Sequence, residues 1–198
     1  MFDGFLRVAA ATPDIRVADC SFNGASAAAL VSEAYEQGVS LLVLPELCLT
    51  GYTCSDLFLQ ESLLDGAGKA LLTLTEATRD KNMVVLAGLP LTVNGVLYNV
   101  AAVLHDGDIL GFVPKSYLPT YSEFYEGRHY HSGADIEADV LFNGRTYPFG
   151  TRLLFRCRQM PAFTLGIEIC EDLWVAQPPS ISHALAGATV IANLSASD

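Results

Sequence analysis

Charge is scarce in this sequence. Charged residues make up 17% of its 198 positions, and cations are rarer still, with 11 Lys plus Arg against 22 Asp plus Glu and a formal net charge of −11. A surface of that sign repels phosphates, which argues against nucleic acid or an anionic membrane as a partner for the chain as a whole. Ser/Gly-rich and Pro-rich linkers, low-complexity tracts and internal repeats are all missing, so nothing divides the chain into two domains. The five cysteines (20, 48, 54, 157 and 170) contain no C-x-x-C pair and are odd in number. That pattern argues against both a disulfide framework and a cysteine zinc site, and the expectation is a cytoplasmic protein with free thiols. No G-x-x-x-x-G-K, G-x-G-x-x-G or SGG-type loop occurs, so this chain by itself is not expected to bind ATP. The longest charge-free stretch, Asn82 to His105, is interrupted by Pro90, Asn94-Gly95 and Asn99 and reads as strand–turn–strand instead of a membrane span. The first residues carry an acid at Asp3 and no long apolar run, unlike a signal peptide.

What is abundant is apolar surface, 51% of residues, enough for one sizeable core. The opening unit reads strand–helix–strand. FLRVAAA precedes a helix that Asn23 is expected to cap, with Ala27, Leu30, Val31, Ala34 and Tyr35 on one face and Gly38 at its end. LLVLPEL (41–47) follows as a strand buried on both faces. A second helix is expected over Leu63 to Lys81, with Leu64, Ala67, Leu71 and Leu74 inward. MVVLAGLPLTV then pairs with VLYNVAAVLH through Asn94-Gly95, and HDGD turns into ILGFVP. Residues 116–150 read as irregular. A strand pair ending in AFTLGIEIC, a short helix opened by Pro178-Pro179 and the strand ATVIANLSA complete a layered α/β pattern. No covering helix follows that last strand, so the chain is expected to stop inside a domain.

Ligands of open α/β sheets collect at the carboxyl ends of strands. Glu46, Lys115 and Cys170 each emerge there from an apolar run. Singly they read as rim or core residues. Together they supply a base, a cation and a thiol, enough for acyl transfer. A free thiol with pKa ~8.5 is only about 3% thiolate at pH 7, and Glu168, Glu171 and Asp172 flank Cys170 and should push it higher. A nucleophilic Cys170 therefore needs a base to take its proton. The histidines at 105, 129, 131 and 183 are not obviously placed to help, and two of them spaced i and i+2 in a loop are a poor metal site.

LVLPELCLTGY around Glu46, FVPKSYLPTYSEFYEGRHY around Lys115 and GIEICEDLW around Cys170 resemble the three signature segments of the nitrilase (carbon–nitrogen hydrolase) superfamily. CEDLW, followed by PPS and ALAGATVIANLSAS, is similar to one branch, the N-terminal glutaminase domains of glutamine-dependent NAD synthetases. The resemblance implies a nitrilase-like α-β-β-α sandwich occupying residues 1–198 and incomplete at its C-terminus, with an ATP-dependent synthetase domain absent. It implies a Glu46–Lys115–Cys170 triad that hydrolyses the side-chain amide of glutamine, with Glu123, eight positions after the lysine, in support. Glu171 is expected to meet the substrate ammonium, and Tyr52, Tyr121, Phe124 and Ser197 to line the pocket, with Trp174 as much structural as functional. No cofactor or metal is expected for this domain; ATP and magnesium belong to the missing one. A homo-oligomer is implied as well. A free-standing amidase acting on another small amide, or a scaffold retaining the fold without activity, remain the competing readings.

Overall fold

The computed structural model describes residues 4–197. Asp3, which bears on the signal-peptide reading, lies outside them. Two sheets stack face to face. The larger is built from β1 (Val8–Ala10), β2 (Leu41–Val43), β3 (Val84–Val93), β4 (Val96–His105), β5 (Asp108–Pro114), β6 (Glu137–Phe142) and β7 (Arg145–Gly150), in the order β1-β2-β3-β4-β5-β7-β6. The smaller holds β8 (Phe155–Arg156), β9 (Thr164–Ile169) and β10 (Val190–Leu194), in the order β10-β9-β8. Leu41, Leu86, Ala101, Val103 and Val113 of the first sheet share a core with Leu165, Ile167, Ile169, Ala192 and Leu194 of the second. The outer face of the large sheet packs on α1 (Cys20–Glu36) and α2 (Glu61–Ala77), which bury Ala27, Val31, Ala34, Leu63, Ala67, Leu71 and Leu74. A short α4 (Pro179–Leu185) covers β9, where only Gly166 leaves room for the His183 side chain. The layers are therefore α-β-β-α, as expected.

Local chemistry explains where the elements begin and turn. Asn94 and Gly95 both take positive φ (51° and 79°) and close the β3–β4 hairpin in the expected register, Val93 opposite Val96. Pro90 and Asn99 face each other inside that hairpin. Residues 116–150 are less irregular than expected: a short α3 (Glu126–His129) and the β6–β7 hairpin lie there, the hairpin turning on Asn143-Gly144 with φ of 46° and 77°. The first helix starts earlier than expected. Asp19 caps it by accepting from the Phe22 N–H, while Asn23 is fully buried and uses its amide on the backbone of Arg16 and Leu49. The second helix begins at Glu61 and stops at Ala77, with Leu63 facing the core and Leu64 only partly covered. Among the described residues no helix is long and apolar enough to cross a membrane, and all five cysteines are free.

Candidate active site

Strand ends converge at one edge of the sandwich. Lys115 follows directly on β5 and Cys170 directly on β9, whereas β2 ends at Val43 and Glu46 sits three residues on, in a tight loop. That loop is pressed onto β3. Leu44 N–H donates to Leu86 O and Leu49 N–H to Gly88 O. A Cβ at Gly88 would come within 2.2 Å of Leu47 N and 2.7 Å of Glu46 Cα, both backbone atoms that cannot swing aside. Gly88→Ala should therefore displace Glu46 and cost about 1–3 kcal/mol or more, the scale of core overpacking, read as a lower urea midpoint with an unchanged slope.

The three predicted residues are buried: Glu46 is 2% exposed, Lys115 1% and Cys170 5%. Lys115 Nζ donates to Glu46 Oε1 at 2.7 Å and to Glu126 Oε1 at 2.6 Å. Asn99 Nδ2 donates to Glu46 Oε1 at 2.6 Å and more weakly to Glu126 Oε2 at 3.4 Å, and the Tyr52 hydroxyl donates to Glu126 Oε1 at 2.7 Å. From the other sheet, Ala196 N–H donates to Glu46 Oε2 at 3.2 Å, and both groups act on the Cys170 thiol, Glu46 raising it and the Ala196 N–H lowering it. One cation is thus shared by two carboxyl groups in a place where an unpaired charge would be costly. Burial pushes the Glu126 carboxyl up against the pull of Lys115, while the two carboxylates hold the Lys115 ammonium above its ordinary range despite burial. Burial, reinforced by Glu46, raises the Cys170 thiol to about 11.

Glu126 takes the place expected of Glu123. Glu123 is exposed and lines a cavity of about 230 Å³ beside Glu126, while α3 turns Glu126 inward onto the lysine. The acids flanking Cys170 also differ from expectation, because they point three ways. Glu168 accepts from Ser180 N–H at the start of α4, and Glu171 accepts from the Tyr121 hydroxyl at 2.7 Å. Asp172 accepts from the backbone N–H groups of Ile169, Ser116 and Tyr117, tying the Cys170 turn to the stretch after Lys115. Three donors favour its charged form, yet burial outweighs them and raises its carboxyl to about 7. The largest influences raising the thiol are burial and Glu46.

Of the residues expected to line a pocket, Tyr52, Phe124, Tyr121 and Glu171 form one chain of contacts. Phe124 packs edge-on against Tyr52 and Tyr121, and Tyr121 reaches Glu171. Ser197 is exposed and follows Ala196, the residue touching Glu46. Trp174 is 72% exposed and His129 pairs with Asp56, away from the thiol. Sequence reasoning missed Asn99, Glu126, Asp172 and Asn193. Asn99 carried a usable signal, a lone amide in the otherwise apolar strand VLYNVAAVLH, which burial makes costly without a partner.

The cluster offers a thiol under the influence of a carboxylate, beside an ammonium whose third N–H remains for a reacting oxygen once two serve Glu46 and Glu126. Such a set can attack a carbonyl carbon and hold the oxyanion that forms. Comparison with known proteins agrees with that chemistry. The carbon–nitrogen hydrolase family model matches residues 7–198. A glutamine-dependent NAD(+) synthetase of Mycobacterium tuberculosis is 46% identical over 194 residues, which are 98% of this chain and 29% of that protein. The crystal structure of a glutamine-dependent NAD(+) synthetase from Cytophaga hutchinsonii superposes with a TM-score of 0.85 at 30% identity, covering 97% of this chain and 30% of that one. An amidase from Nesterenkonia shares the fold, with a TM-score of 0.70 at 21% identity over 98% of this chain and 66% of its own. The chain thus spans less than a third of the length of the synthetases it resembles.

Proposed function

We propose, from the premise that the chain belongs to the carbon–nitrogen hydrolase family, that it hydrolyses the side-chain amide of glutamine and supplies the ammonia to NAD synthesis. The observation that carries this reading is the buried Glu46–Lys115–Cys170 cluster, with the thiol on Glu46 and a second carboxylate, Glu126, on the lysine. The 46% identity to glutamine-dependent synthetases supports glutamine over other amides. Glu46 takes the Cys170 proton as sulfur attacks the amide carbon. Lys115 and the Glu171 N–H hold the oxyanion, and Glu46 passes the proton to nitrogen so that ammonia leaves. Water, deprotonated by Glu46, then splits the thioester, and the sulfur recovers its proton as glutamate departs. Glu126 and Asn99 keep lysine and base in register.

In the same reading Glu171 receives the substrate ammonium, and Tyr52, Phe124, Tyr121 and Ser197 shape the pocket. Use of the ammonia falls to a further synthetase domain beyond this chain, working with ATP and magnesium, in a cytoplasmic homo-oligomer. This chain carries no phosphate-binding loop to hold either, so no step here runs through them.

Two reagents test the assignment on the intact protein. Iodoacetamide, which the site does not recognise, should modify Cys170 slowly at pH 7. Its rate should climb about tenfold per pH unit toward the thiol's value of about 11, because only the thiolate reacts. An electrophilic glutamine analogue should modify Cys170 readily at pH 7, since Glu46 removes the proton as the bond forms. Mass spectrometry that finds the analogue on another cysteine, or on none, would sink the proposal. Equal labelling by an unrelated amide electrophile would favour a general amidase.

A further inference from the structure

Cys170 sits in an unusual backbone conformation. Its φ is +46°, in the left-handed region that is costly for a non-glycine residue and persists only where the surroundings hold it. Asp172 anchors the turn from one side, and a side chain from the neighbouring strand holds Cys170 itself. Asn193 Oδ1 accepts from Cys170 N–H at 3.2 Å, and Asn193 Nδ2 donates to Cys170 O at 3.3 Å. One amide therefore grips the residue on both sides of its Cα. The two backbone groups fix which end of the amide is oxygen, because an N–H can only donate and a carbonyl only accept, and the Ser195 hydroxyl adds a second donor to Asn193 Oδ1 at 2.6 Å. Asn193 lies opposite Glu168 in the β9–β10 ladder, two positions short of the thiol, so its reach is set by strand register.

The consequence extends past the sulfur. The Cys170 carbonyl and the Glu171 N–H belong to one planar, trans peptide group, and fixing the carbonyl fixes the direction of that N–H. Glu171 is the second residue of a short 3₁₀ turn beginning at Cys170, where N–H groups have no partner within the turn. It is free to serve a ligand. We infer that Asn193 is a positioning residue that aims the Glu171 N–H at the developing oxyanion while holding Cys170 in its strained conformation. This rests on the reading of Cys170 as the nucleophile.

Two variants of the intact protein test it. Asn193→Asp keeps size and acceptor but loses the donor to the Cys170 carbonyl. Ser195→Ala removes one of the two donors to Asn193 Oδ1 and so loosens the amide, and since Ser195 is exposed the fold is not at stake. Glutamine turnover and iodoacetamide alkylation of Cys170 are measured side by side. Alkylation displaces iodide and builds no oxyanion, so it reports on the thiol alone. With Asn193→Asp, kcat should fall about 10- to 100-fold, within the range for losing one oxyanion donor, and KM should change by less than about threefold. The alkylation limit reached at high pH should stay within about threefold of the parent, its midpoint moving to higher pH because the new carboxylate disfavours thiolate. Ser195→Ala should lower kcat about two- to fivefold. A kcat within twofold of the parent in Asn193→Asp would overturn the inference. So would a fall in limiting alkylation as large as the fall in kcat, which would make Asn193 a mere prop for the thiol. If the parent protein itself is not labelled at Cys170 by the glutamine analogue, the nucleophile assignment fails instead.

Discussion

Glu46→Gln is expected to lower glutamine turnover by about three to four orders of magnitude, near the upper end for removing a general base. The reason is the thiol. Burial and the facing carboxylate raise Cys170 to about 11, so at neutral pH a standing thiolate is negligible and the proton must leave as the sulfur attacks. Gln keeps the shape, and its one oxygen can still accept from Asn99 and Lys115, the two donors on Glu46 Oε1, while its NH2 takes the position that faces Ala196 N–H. It cannot take a proton. Turnover should therefore collapse while the thermal transition shifts by only a few degrees. Steady-state release of glutamate measures the first and a melting curve the second. Turnover within tenfold of the parent would assign the base elsewhere.

Lys115→Met should do comparable damage to turnover and, unlike Glu46→Gln, unsettle the fold. Removing one partner of a buried ion pair typically costs about 3–5 kcal/mol, and here two carboxylates lose their common cation at once. The loss should depend on pH. Lys115 is the main influence lowering the Glu126 carboxyl, so without it that group, already raised by burial, rises further. A carboxyl raised in the folded state is protonated there without penalty at low pH, and stability is lost as pH climbs through its folded value. The destabilisation should therefore be larger at pH 8 than at pH 5, by urea titration at both. A penalty equal at the two values would mean that Glu126 does not titrate in the variant.

The layered order of strands and helices was legible because its signals are local. Asn94-Gly95 set the longest hairpin, and continuous apolar runs marked the strands buried between layers. Asn143-Gly144 sends the same signal as Asn94-Gly95, but its flanking strands carry Glu137, Asp139, Arg145 and Pro148, so no apolar run drew attention to it. The ends of β5 and β9 placed Lys115 and Cys170, yet position along the chain could not choose between Glu123 and Glu126. That choice depends on which way a four-residue helix turns a side chain. Asn193 was illegible for a different reason. Its partner lies 23 residues away on another strand, and nothing in ANLSAS distinguishes an amide that grips a backbone from one that meets solvent.

Glu46, Asn99, Lys115 and Glu126 hang from the larger sheet, whereas Cys170, Asn193 and Ala196 hang from the smaller. The contacts of Asp172 with Ser116 and Tyr117, of Tyr121 with Glu171 and of Ala196 with Glu46 stitch the two halves at this edge. Neither half can react by itself: one is an acid and a cation without a nucleophile, the other a dormant thiol. Reactivity is therefore an alignment gauge, reporting whether two slabs are seated to within the length of a hydrogen bond. A disturbance that slid one slab by an ångström would switch off the chemistry while leaving every strand and helix intact.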